Sequence, residues 1–268
     1  MEFYKMHGCG NDFCVVEYEA DVEYSKRAVE LCNRKTGIGA DGLIVVKTNP
    51  LEMIFYNQDG TRASMCGNGI RCFARYCYEK KLIEGNKFEC LTQAGPMQLT
   101  ITQEDPFMVR VDMGKPVFRN QMIHVSDEIN SFGRMLEVDG YHITIYSFFI
   151  GSIHTVIFVD GLTSNLLNSA EKICNNSLFR SKTNVNFVNI IEEKHIEVRT
   201  YERGVGWTLA SGTGACAAVV TAHKLGLTQA KVEVSLALGS LYVEITKKQN
   251  VLMEGPAVLS YIGNTKEV

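Results

Sequence analysis

The chain has 268 residues, 46% of them apolar and 21% charged, with a net charge of −3. That length suits two domains of about 130 residues, and the charge balance excludes nucleic acid or an anionic membrane as an expected partner. No apolar run reaches the ~18 residues of a membrane span, MEFYKMHG lacks a signal-peptide pattern, and nine scattered cysteines without a CxxC pair fit reduced thiols in the cytoplasm, with no metal site expected.

Residues 1–6 and 13–18 are strand candidates around a His7–Asp12 turn, whose Asn11 and Asp12 could either cap the turn or face a ligand. Tyr24–Asn33 follows as a helix. A glycine-dense loop, 34–42, lacks the spacing of a phosphate loop and leads into the buried strand 43–46. Met53–Tyr56 is a strand, 58–60 a turn, and Cys66–Leu82 a helix. Strands at 87–91, 97–102 and 107–112 close on Met113–Pro116. A polar, charged seam near 116–140 comes next. In the second half, strands 142–149 and 154–159 flank Ile150–Ile153, and a helix covers 166–174. Strands 185–191 and 195–200 precede the stretch Tyr201–Leu225, in which SGTG opens a helix. Strands 231–236, 240–246 and 250–255 end the pattern.

The chain contains its most distinctive stretch twice. Laid without a gap on residues 56–82, the segment from Tyr201 puts Tyr201 on Tyr56, Ser211 on Cys66, and SGTG on CGNG. A repeat of this length means duplicated domains, each a mixed strand set around one principal helix. The expected division is 1–116 with the tail 257–268, against 117–256. A twofold-related pair of domains is expected to bring both helix starts to one ligand.

A glycine-rich helix start offers backbone N–H groups and the positive end of the helix dipole. Gly67, Asn68, Gly212 and Thr213 would thereby hold one carboxylate between them. A thiol at such a position is acidified, so Cys66 is a candidate base. Two such groups on opposite faces of one carbon invert it, one removing the α-proton while the other delivers a proton. Holding the carboxylate at two helix dipoles spreads the developing negative charge without a cofactor. The plain alternative for each of these residues is turn capping or a surface ion pair.

The pieces MHGCGNDF (6–13), TGIGADGL (36–43), YNQDG with MCGNGIRCFARY (56–76), TNVNFV (183–188), and YERGVG with SGTGACAA (201–218) resemble the diaminopimelate epimerase family and its cofactor-independent racemase relatives. The resemblance implies an α+β fold of two pseudo-symmetric domains, each a mixed, mostly antiparallel sheet or barrel around a central helix. It implies a two-base mechanism with Cys66 as one thiol and position 211 as the other. Asn11, Asn57, Asn184, Glu202 and Arg203 would line the substrate pocket, with His154 and Glu202 beside the reacting centre. The substrate would be an amino acid, and homodimers are usual in the family.

The departures carry as much weight. Ser211 stands where the family has its second cysteine, and a hydroxyl cannot supply a comparable acid or base near neutral pH. The intact surroundings favour a Cys→Ser substitution that was introduced, over a natural enzyme with altered chemistry. The family's Asn-Pro-His is Ser152-Ile153-His154, its Gly-Ser-Glu is Gly60-Thr61-Arg62, and its Gly-Glu-Thr is Gly206-Trp207-Thr208. Trp207 suits either interdomain packing or stacking on a substrate. These changes point to an amino acid other than diaminopimelate, histidine first. Retained Asn57, Asn184 and Arg203 suit a distal carboxylate and keep diaminopimelate as the alternative. A non-catalytic amino-acid-binding protein and a phenazine-type isomerase on the same fold are the remaining alternatives.

Overall fold

The computed structural model describes residues 1–119 and 131–265. Part of the polar seam (120–130) and the last tail residues (266–268) lie outside the described residues. The chain forms two compact units, Met1–Asp112 with Glu254–Val268, and Met113–Met253.

In the first unit, β1 (Glu2–Gly8) pairs antiparallel with β2 (Asn11–Glu17), and β2 pairs parallel with β3 (Gly42–Thr48). The crossover between β2 and β3 carries α1 (Tyr24–Cys32), which buries Tyr24, Ala28 and Leu31 against them. β3 then pairs antiparallel with β4 (Leu51–Asn57). β4 pairs antiparallel with β5 (Arg62–Ala63) and parallel with β6 (Lys87–Thr92). β6, β7 (Gly95–Glu104) and β8 (Phe107–Asp112) form an antiparallel meander. The crossover from β4 to β6 is α2 (Gly67–Glu79), packed on β1, β2 and β8. Its Ile70, Phe73, Ala74 and Cys77 are buried, the three-and-four spacing that gives a helix one apolar stripe.

The second unit repeats this order. β10 (Tyr141–Ile150) pairs antiparallel with β11 (Ser152–Phe158), and β11 parallel with β12 (Asn184–Glu192). β12 pairs antiparallel with β13 (His195–Glu202), which takes β14 (Gly206–Thr208) antiparallel and β15 (Lys231–Leu236) parallel. β15 pairs with β16 (Gly239–Ile245), and β17 (Val251–Pro256) follows. A 3-10 turn, Asn165–Ser169, runs into the short α3 (Ala170–Cys174). α4 (Gly212–Lys224) fills the second crossover, buried from Ala215 to Ala222.

Four strands escape the sequence reading, in two counterpart pairs: the short β5 and β14, and the longer β18 and β9. β18 (Val258–Asn264) lies in the expected tail and pairs antiparallel with β1, Glu2 meeting Asn264. β9 (Phe132–Val138) lies in the expected seam and pairs in the same way with β10. Both are half-exposed edges with weak apolar alternation, which leaves little periodic signal. The helix read at 166–174 begins as the 3-10 turn. Both principal helices begin at the glycine after Cys66 or Ser211, and α2 stops short of Lys81, whose φ is 55°.

Candidate active site

In the first unit a two-residue turn of Cys9 (φ 53°) and Gly10 (φ 88°) ends β1 and starts β2 at Asn11. Both central residues are left-handed, the backbone of the hairpin turn that matches strand twist. Cys66 is the N-cap of α2, with extended backbone, and its Sγ accepts from the Gly69 N–H at 3.4 Å. Sγ also lies 3.8 Å from Asn11 Oδ1. Asn68 Nδ2 donates to that same oxygen at 3.0 Å, and Asn11 Nδ2 donates to Asp41 Oδ2 at 2.7 Å. Cys66, Asn68 and Asn11 therefore form one cluster, with buried Gly67 at its base.

A charged lattice supports this cluster. Lys5, almost fully buried, pairs with Asp12 at 2.5 Å and donates to the Gly39 carbonyl. Arg34 reaches both Asp12 and Asp41, at 2.6 and 2.8 Å. Burial alone would raise the Asp12 carboxyl, but hydrogen bonds and charge from Arg34 and Lys5 outweigh it and hold it down to about 2. Asn57 is not joined to the cluster by a hydrogen bond. Its Nδ2 donates to Thr61 Oγ1 at 2.9 Å and so caps its own turn.

In the second unit Ser211 is the N-cap of α4, again with extended backbone, and its Oγ accepts from the Gly214 N–H at 3.3 Å. The two caps thus share one geometry. Ser211 and Gly212 are buried and Thr213 half-buried. Beneath the helix start lies Asn186, whose Oδ1 accepts from Thr200 Oγ1 at 3.0 Å. A methyl on Gly214 would overlap Asn186 Oδ1 and lie 2.8 Å from Thr200 Oγ1, so this residue has to be glycine.

Partners fix the protonation of His154. Asn186 Nδ2 donates to the Thr155 carbonyl at 3.2 Å, and the same nitrogen lies 3.1 Å from His154 Nδ1. Nδ1 must then be the acceptor, leaving the proton on Nε2, which is 2.9 Å from Ser152 Oγ. Burial pushes His154 down to about 3, with the Asn186 hydrogen bond opposing and the Arg203 charge reinforcing the shift. It is a neutral, fully buried ring near neutral pH. Ser152 also receives Asn184 Nδ2 at 3.0 Å, and Asn184 Oδ1 accepts from the Arg203 N–H at 3.0 Å. Arg203 Nη1 donates to the Ser181 carbonyl at 2.8 Å. His154 and Asn184 are thereby joined through Ser152, and Arg203 through Asn184. Glu202, half-buried, ends β13 next to Arg203.

Trp207 lies on β14, opposite Tyr201, at 42% exposure. Its ring meets Tyr201 edge-on at 5.6 Å, with the Arg199 guanidinium 5.6 Å away. The sequence reading missed Asn186, Thr200, Asp41 and Arg71. For Asn186 a signal existed: it stands two residues from Asn184, on the same face of a strand otherwise rich in Val and Phe. Among the described residues no group of His, Cys, Asp and Glu has a metal-binding arrangement, and no helix is long and apolar enough to cross a membrane.

The family model for diaminopimelate epimerase matches residues 3–119 and 146–260. A diaminopimelate epimerase of Caldanaerobacter subterraneus subsp. tengcongensis is 41% identical over 262 residues, covering 95% of this chain and 96% of its own. One of Alkaliphilus metalliredigens is 40% identical, covering 96% and 94%. A PhzF-family phenazine biosynthesis protein of Bacillus anthracis, at 15% identity, superposes with a TM-score of 0.72 over 100% of this chain and 99% of that one, a likeness of fold alone.

Proposed function

The chain belongs to the diaminopimelate epimerase family, and from that premise we propose that it inverts one α-carbon of diaminopimelate, interconverting the LL and meso forms. It is an isomerase of the racemase and epimerase class. The proposal takes Cys66 and the residue at 211 as the two acid/base groups. One removes the α-proton, and the other returns a proton to the opposite face. Backbone N–H groups at Gly67, Asn68, Gly212 and Thr213 hold the α-carboxylate as charge develops. Asn11, Asn57, Asn184, Glu202 and Arg203 bind the rest of the substrate. His154, neutral and enclosed, orients Ser152 and Asn186 and does not itself carry a proton across.

The observation that carries this reading is the matched pair of caps. Each unit presents a side chain at position N-cap of its principal helix, each accepting from the third helical N–H. The departures at 62, 152 and 207 suggested histidine as substrate. Relatives at about 40% identity bear the diaminopimelate name instead, and histidine finds no support among them. A cytoplasmic location and a homodimer remain part of the proposal, resting on the reduced thiols and the resemblance.

Deuterium uptake at the α-carbon in D2O tests it. Ser211→Cys is expected to exchange and interconvert LL- and meso-diaminopimelate while leaving histidine untouched. The unaltered chain is expected to show slow exchange from one stereoisomer only, through Cys66. Binding without exchange in both proteins would leave a binding protein and end the epimerase reading.

A further inference from the structure

Arg71, in the second turn of α2, is completely buried. A cation is costly to bury unless its donors are used, and here they point back to the helix start. Nη1 donates to the Gly67 carbonyl at 2.9 Å, Nη2 to Asn68 Oδ1 at 3.0 Å, and Nε to the Pro256 carbonyl at 3.1 Å. A methyl group on Gly8 would lie 2.6 Å from Nη2, so the β1 backbone closes the slot from the other side.

Guanidinium groups only donate and carboxylates only accept, which fixes the direction of every bond between them. Arg71 takes the oxygen of Asn68, so the Asn68 nitrogen must face Asn11. Asn11 receives that nitrogen on its oxygen, and its own nitrogen faces the Asp41 carboxylate. The amide oxygen of Asn11 is therefore the atom beside the Cys66 sulfur. Neither amide can flip without opposing two like groups.

The second unit supplies a control. On the offset that lays Cys66 on Ser211, Arg71 falls at Cys216, a small buried thiol. The same helix forms on the same strand order without a cation in that slot, so the fold does not require one. We infer that Arg71 is a positioning residue for Cys66: acting through Asn68, it holds Asn11 with its amide oxygen, rather than its nitrogen, against the sulfur. Its bearing on catalysis rests on the role proposed for Cys66 above.

Alkylation by iodoacetamide tests the relay without needing a substrate. Cys66 is partly exposed and the other eight cysteines are buried, so peptide mass analysis follows Cys66 selectively. The unaltered chain is compared with Arg71→Lys, Asn68→Leu and the double variant, each checked for native melting. The expected result is a Cys66 rate at neutral pH changed at least threefold, in the same direction and by the same factor in all three, because they break one chain. An unchanged rate in Asn68→Leu, or effects that multiply in the double variant, would overturn the inference. If Arg71→Lys does not fold, Asn68→Leu decides alone. With diaminopimelate in D2O the same variants should fall to a common, lower exchange rate. Absence of exchange in every protein, the Ser211→Cys background included, would sink the proposed function while leaving the alkylation result standing.

Discussion

The two helix starts rest on opposite kinds of material. Under α2, the tip of Ile44 lies against the third helical position, and Phe13 and Phe55, on the strands to either side of it, pack ring to ring at 5.9 Å. The register that pairs Phe13 with Gly42 in parallel pairs His154 with Asn184. Under α4 the same three positions are therefore His154, Asn186 and Thr200, a closed set of hydrogen bonds in the interior. Charge is distributed the other way. The first unit has Arg71 and Asp41 at the ends of its amide relay, where the second has Cys216 and Thr183. One sheet-and-helix plan thus tolerates either a hydrocarbon or a polar layer beneath the cap. The polar layer answers to something other than folding.

The largest expected effect tests the caps themselves. Restoring a thiol with Ser211→Cys should raise epimerisation by about 10²–10⁴-fold, the usual worth of a positioned acid/base group. Cys66→Ala in that background should remove the gain, read by interconversion of the diaminopimelate stereoisomers. Next come the glycines at the third helical position. Gly214→Ala drives a methyl into two fixed polar atoms and should cost about 3 kcal/mol in urea unfolding. Gly69→Ala meets Cys66 Cβ and the tip of Ile44 at 3.2 and 3.3 Å, and should cost about 1 kcal/mol because that tip can yield. Equal costs would erase the claimed difference in rigidity.

A smaller effect sharpens the comparison by converting one layer into the other. His154→Phe alone strands polar partners and should cost about 1–3 kcal/mol. His154→Phe with Asn186→Ile, copying the first unit, should recover most of that stability while catalysis stays impaired. The smallest effect is on acid stability. A histidine held near 3 in the fold but about 6.5 when unfolded favours the folded state above that unfolded value. Its contribution is lost as pH falls from about 6.5 towards 3, when the unfolded chain takes the proton first. The double variant should flatten the stability curve over that range. From its lower end onward, further loss should set in as pH passes from about 4 towards 2, where Asp12 is protonated and released from Arg34 and Lys5.

Much of this organisation was legible because duplication leaves a pattern that survives divergence. Tyr56 and Tyr201, ten positions before each cap, set the offset, and the strand order obeys it. The cap residues and the asparagines at 11, 68 and 184 stand at the starts of helices and strands, where polar residues are conspicuous. What stayed hidden depends on partners distant in sequence. Arg71 reads as one more polar residue on an amphipathic helix until Gly8 and Pro256 enclose it. That the Asn57 side chain also caps its own turn through Thr61, four residues on, shows only in the fold. The protonation of His154 follows only from Asn186 and Thr155, which β-pairing brings to it.

The pairing of β18 with β1 sets an order of assembly. The strand that finishes the first unit, residues 258–264, is translated only after all of 113–253. The unit whose first residues leave the ribosome earliest must wait, with the far edge of β1 unsatisfied, until the last strand of the chain follows. A chain released near residue 256 would keep the far edge of β1 open, and that exposed edge is where a chaperone would find it.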